Sequence, residues 1–192
     1  MEMKKLIKIV GVLCENLIEG ININQIAKKS GISASSTYRT LKEMEKENLI
    51  KKQKSGNNVF YKLNLKNAFA RKYAELASIR KRESFFRKKP EYYELFMMLK
   101  ESVKEFSSVV GVFGSLARME EKPGDIDIFI IYKQLKPILP VFKKRTEKLS
   151  PFYITESEFR ERAKEKVISS IIKDAIILHG ECEFWSILSE AV

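Results

Sequence analysis

Leu6, Ile7, Val10, Leu13, Leu17 and Ile18 recur at the three-to-four spacing that lines one face of a helix, and Gly20 stands where that helix stops. The pattern then predicts a short second helix over Gln25–Ser30, capped by Asn24, with Ile26 and Ala27 inward. Gly31 supplies a turn, and Ser33 caps a third helix running to about Glu47. Ile32, Leu41, Met44 and Leu49 take its inward positions, leaving Ser35, Ser36, Tyr38, Arg39 and Lys42 to project outward. Ile50–Asn64 follows as two strand-like runs about Ser55-Gly56-Asn57-Asn58, a cluster suited to the positive φ of a hairpin turn.

Helical spacing returns at Phe69, Tyr73, Leu76 and Ile79, predicting a bridging helix within residues 66–89, and Pro90 marks a boundary. Glu91–Phe106 reads as a further helix and Ser107–Phe113 as a short strand. Ile126–Ile131 is a buried strand with Asp125 and Asp127 at its start. Pro151–Thr155 is the next strand candidate, and Thr155-Glu156-Ser157-Glu158 has the form of a helix-starting capping box. Phe184, Trp185 and Leu188 predict a terminal helix packed on a core.

Charge divides the chain. Of its 192 residues, 36 are Lys or Arg and 25 Asp or Glu, for a net +11. Residues 1–90 hold 21 of the cations against 8 Glu and no Asp, whereas residues 91–192 are close to neutral. Such asymmetry points to a polyanion partner for the first half, the alternative being lysines kept for solubility. Within 66–89, the Arg80–Arg82 and Arg87–Lys89 clusters either extend that footprint or form a solvated face. Cys14 and Cys182 are too few and too far apart for a disulfide framework or a zinc site. No apolar stretch approaches the roughly 20 residues of a spanning helix, and Lys8 interrupts the signal-like start, so a cytoplasmic protein without a membrane partner is expected.

Three helices with a Gly-containing turn, then a basic hairpin, resemble the winged helix-turn-helix domains of bacterial and archaeal transcription regulators over residues 4–65. The resemblance implies double-stranded DNA as partner. The third helix would meet base edges in the major groove, with Ser35, Ser36, Tyr38, Arg39 and Lys42 as candidates, and Lys51, Lys52 and Lys54 of the wing would meet phosphates. Arg39 is the first candidate for a base contact, because a guanidinium pairs bidentately with guanine. A winged helix used only for protein contacts is the competing reading, and a homodimer reading two half-sites fits the DNA-binding one.

The second half carries a different chemistry. Strand side chains alternate, so Asp125 and Asp127 share a face, and two neighbouring carboxylates call for a counter-cation. Mg2+, with Mn2+ as a substitute, suits carboxylate oxygens combined with substrate phosphates. Gly114 permits close backbone approach to a ligand, and Ser115 opens a helical turn whose N–H groups suit phosphate oxygens. Arg118, one turn on, either aids phosphate binding or pins the turn to an acidic neighbour.

Gly114-Ser115, nine residues, then Asp125-Ile126-Asp127-Ile128 resembles the nucleotidyltransferase signature of the DNA polymerase β superfamily, and Gly-Ser-x-Ala-Arg is similar to its minimal members. The resemblance implies a small mixed sheet with flanking helices, Asp125 and Asp127 as catalytic metal ligands, and Gly114, Ser115 and Arg118 as the nucleotide grip. Met119 departs from a usual Gly, and Gly124 from a usual Ser. A third acid, normally on a neighbouring strand, is missing from Pro151–Thr155, and Asp174 lies far along the chain. His179, the sole histidine, suits a turn or a structural role.

The expected architecture is therefore α+β: a winged helix-turn-helix over 1–66, a basic linker helix over 67–90, and a nucleotidyltransferase-like domain over 91–192. The tail through Leu178-His179-Gly180-Glu181 resembles proteins that join these two domains, which implies a transcription regulator that binds Mg-NTP with weak or lost catalysis. An active nucleotidyltransferase is the alternative, carrying NMP from NTP to a protein or nucleic-acid acceptor.

Overall fold

The computed structural model describes residues 2–120, 124–133 and 148–191. It divides into two compact units, one running through Ala77 and the other from Ser78 to Ala191.

The first unit contains α1 (Met3–Glu15), β1 (Ile21–Asn22), α2 (Ile23–Ser30), α3 (Ala34–Lys46), β2 (Ile50–Ser55) and β3 (Asn58–Leu63). Apolar residues of the helices meet in one core, with Leu6, Ile9, Leu13, Ile26, Leu41 and Met44 all buried. The cap of α2 is Asn22 rather than Asn24, its side chain accepting from the Gln25 amide at 3.0 Å. Strand pairing is the cause. Ile21 and Asn22 remain extended to pair with Tyr61 and Phe60 of β3, so the helix begins as soon as that pairing ends. Gly31 adopts the left-handed conformation after α2, and the Ser33 hydroxyl caps α3 at the Ser36 amide. β2 and β3 form the hairpin, with Ser55 opposite Asn58 and Gly56 at positive φ in the two-residue turn.

α4 (Ala68–Lys88) is a single 21-residue helix, started by Asn67, whose side chain accepts from the amides of Phe69 and Ala70. The division between the units falls inside it, after Ala77.

The second unit continues with a 3-10 turn (Pro90–Tyr92), α5 (Tyr93–Val103), β4 (Ser107–Phe113), α6 (Gly114–Ala117), β5 (Ile126–Tyr132), β6 (Leu149–Thr155), α7 (Glu156–Glu161), α8 (Lys166–Asp174), β7 (Ile176–His179) and α9 (Glu181–Ala191). Its sheet has the order β6-β5-β4-β7, mixed because β5 runs parallel to β6 while β4 is antiparallel to both its neighbours. Alternation assigns its faces. Val110, Val112, Ile126, Ile128 and Ile130 join Phe85, Phe96 and Leu99 in one cluster. Phe129, two residues beyond Asp127, instead meets Phe113 and Phe184. A Cβ at Gly111 would overlap the Phe129 ring, so glycine there makes room for it. The capping box at Thr155 is fully formed with Glu158. His179 ends β7.

Candidate nucleic-acid interface and acidic site

One side of α3 is committed to the core. Thr37, Thr40, Leu41 and Met44 are buried, and the Thr40 hydroxyl returns a hydrogen bond to the Ser36 carbonyl at 3.0 Å. Ser35, Tyr38, Arg39 and Lys42 are exposed, and Ser36 is half-buried at the edge. All five outward candidates therefore lie away from the core on one helix. Lys42 stands over the Tyr38 ring, 5.7 Å from its centroid, so these two form one amphipathic feature.

The wing lysines are not equivalent. Lys52 forms an ion pair with Glu45 of α3 at 2.5 Å and stacks over Tyr61. That hydrogen bond to Glu45 is the chief reason its pKa is raised. Lys51 and Lys54 are exposed on the hairpin, which leaves them freer than Lys52 to meet a polyanion.

In the second unit, β4, α6 and β5 bring the two halves of the acidic motif together. Phe113, just before the turn, pairs with Asp127, and Gly114 has φ of +75°. A Cβ on Gly114 would overlap the Asp127 carboxylate. Asp127 is half-buried and Asp125 is exposed at the mouth of the strand, with Lys148 Nζ 3.5 Å from one of its oxygens. Burial raises the Asp127 pKa, and the Asp125 charge pushes it further the same way, against a smaller opposing effect of Arg118.

Arg118 turns toward other acids. It bonds Glu120 through Nε at 2.8 Å and Asp174 through Nη1 at 3.2 Å, contacts that raise its own pKa. The contact with Asp174 ties the turn that carries Arg118 to the end of α8. Asp174 closes α8, also receives Ser170 Oγ at 3.4 Å, and its side chain is only 13% exposed. This contact joins residues 56 positions apart and had no signal in the motif itself. The strand beside the acids also proves informative. Ser150 of β6 stands opposite Asp127, and β6 carries no acid. Among the described residues, no group of three or more His, Cys, Asp or Glu is placed to hold a metal ion. Nor is any described helix long and apolar enough to cross a membrane.

No curated protein and no solved structure matches the chain. Residues 16–58, from the end of α1 through β2 to the start of β3, match the MarR family. That match, laid on a helix–turn–helix with its exposed α3 and basic hairpin, supports a winged-helix DNA-binding domain that serves transcription regulation in the first unit.

Proposed function

We propose that this protein is a DNA-binding transcription regulator whose second unit binds Mg-NTP at Gly114, Ser115, Asp125 and Asp127 with little or no turnover. The DNA-binding half rests on α3 and the hairpin. There Arg39→Ala is expected to cost about 1–3 kcal/mol on a selected duplex and to relax preference at one base position. Binding curves on selected and scrambled duplexes check it, and equal losses on both would remove Arg39 from base reading. Two copies would place two such helices on two half-sites.

The nucleotide half is carried by one observation: the backbone at Gly114 lies directly against the Asp127 carboxylate, with no room for a side chain between them. A strand–turn–strand of this kind, extended by a parallel neighbour, accords with the small mixed sheet that the nucleotidyltransferase resemblance implies. The donor set suits magnesium, which binds through one or two carboxylates and keeps its remaining positions for water and substrate phosphates. Asp125 and Asp127 would hold it, and it would neutralise the polyphosphate charge. Transfer to an acceptor would further need an acid to take the hydroxyl proton, and β6 offers none. Binding without efficient transfer is therefore favoured over the active enzyme. Calorimetry with ATP, GTP, CTP and UTP in magnesium tests binding. Label transfer to DNA or protein that disappears in Asp125→Ala/Asp127→Ala would establish the transferase instead.

The raised Asp127 pKa adds a pH signature. A carboxyl whose folded pKa exceeds its unfolded one contributes stability that is complete below the unfolded value and lost as pH rises through the folded one. At neutral pH, without divalent cations, Asp127→Asn is accordingly expected to raise the melting midpoint of the second unit. The gain should shrink in acid, and magnesium should stabilise the native chain more than the variant. Melts across a pH series measure this, and no gain at neutral pH would contradict it.

A further inference from the structure

The sequence assigns the first unit's DNA contacts to α3 and the wing, yet that unit also has a cavity of about 490 Å3 beside the N-terminal half of α3. α1 supplies Lys4 and Lys8 to its wall, and α3 and its preceding turn supply Ser33, Ser36 and Arg39. Glu2 and Lys5 also border it but pair with each other at 2.8 Å, so together they add little net charge. Lys4 and Lys8 are one helical turn apart and both exposed, and neither Lys8 nor Arg39 has an ion-pair partner among the described residues. Three cations and two hydroxyls therefore line an open cleft whose one carboxylate, Glu2, pairs with Lys5 and also feels Lys4, and among the described residues none is set against Lys8 or Arg39. Mutual repulsion of that kind is relieved by a bound anion.

We propose that this cleft seats the sugar-phosphate backbone of DNA, making Lys4 and Lys8 of α1 phosphate-binding residues that hold one strand while α3 reads the bases beside it. The inference rests on the DNA-binding reading of the first unit and enlarges its footprint. Lys51 and Lys54 of the hairpin, whose neighbour Lys52 pairs with Glu45 near the C-terminal end of α3, then add phosphate contacts of their own. Phosphate contacts of this type set register and salt dependence but carry no sequence information.

The test uses the full chain and a mixed-sequence duplex, so no operator need be known. The slope of log affinity against log salt should shrink by about 1–2 in Lys4→Ala/Lys8→Ala, since each neutralised phosphate contributes about 0.9. Base preference, measured by selection from a random pool, should remain that of the native chain. Both lysines are exposed, and Lys4→Arg/Lys8→Arg, which keeps the charge, should retain the native slope. An unchanged slope in the alanine variant would overturn the proposal while leaving the DNA-binding reading intact. Failure of the native chain to bind any duplex at low salt would instead remove that parent reading. A free phosphate ion has the same chemistry, so a second arm adds inorganic phosphate at matched ionic strength and follows the NMR signals of Lys4, Lys8 and Arg39. Movement with duplex but not with phosphate is expected, and saturable phosphate binding without a duplex effect would refute the assignment to DNA.

Discussion

Gly114→Ala is expected to abolish Mg-NTP binding and to destabilise the second unit. Two costs combine at this position. Gly114 has φ of +75°, where an L-residue is strained by about 1–3 kcal/mol. Its new Cβ would also occupy the space of the Asp127 carboxylate, so either the turn opens or the acid swings away. Each 1.4 kcal/mol of lost ligand contact is about tenfold in affinity, and the displaced acid is a proposed ion ligand, so binding should fall below detection. Gly124→Ala is the matched control. It precedes the same acid pair, a Cβ there would meet nothing within 4 Å among the described residues, and it is expected to stay within about 0.5 kcal/mol of the native stability. Thermal melts and calorimetry on the two variants decide the matter. If Gly114→Ala keeps native nucleotide affinity, the turn and Asp127 do not form one site.

Much of this site was readable along the chain because its parts are local. Gly114 directly follows β4 and Asp127 lies in β5, strands that neighbour each other in the chain, and period-two alternation places both acids on one face. The winged helix was readable for a similar reason, since Gly31, Ser33 and the Ser55–Asn58 turn each specify their own local geometry. What escaped depends on contacts distant in sequence. β7 has only three apolar residues before His179 and follows almost directly on an amphipathic helix, and periodicity over so short a stretch does not separate strand from helix. The cap of α2 was misplaced by two residues because a pairing with β3, some forty positions away, fixes where the helix starts. Arg118 meets Asp174, and Lys4 and Lys8 share a cavity wall with Arg39, only because helices close in space. No motif spacing encodes such encounters.

Phe96→Ala should unfold the second unit at a temperature where the first still binds DNA. Phe96 is fully buried and is the hub of an aromatic group, stacked 5.8 Å from Phe85 and 5.7 Å from Tyr92, with Phe86 at 6.2 Å. Removing such a ring typically costs about 3–5 kcal/mol, because the lost transfer energy is joined by a cavity the neighbours only partly fill. Against a total of about 5–15 kcal/mol for a domain, that is a large fraction. The chain provides its own reporter. Trp185, the single tryptophan, is buried in α9 and donates to Ser78 Oγ at 3.0 Å, both within the second unit. Its emission therefore follows that unit alone, and its transition should move to markedly lower temperature or denaturant in the variant. DNA contacts proposed for α3 and the hairpin belong to the first unit, whose core of Leu6, Ile9, Leu13, Ile26, Leu41 and Met44 includes none of the residues touching Phe96. Duplex affinity should then persist above the Trp185 midpoint. Loss of both signals together would mean that the two cores unfold as one cooperative body through α4. Ligand binding to the second unit would then reach the DNA-binding face through shared stability rather than through a separate switch.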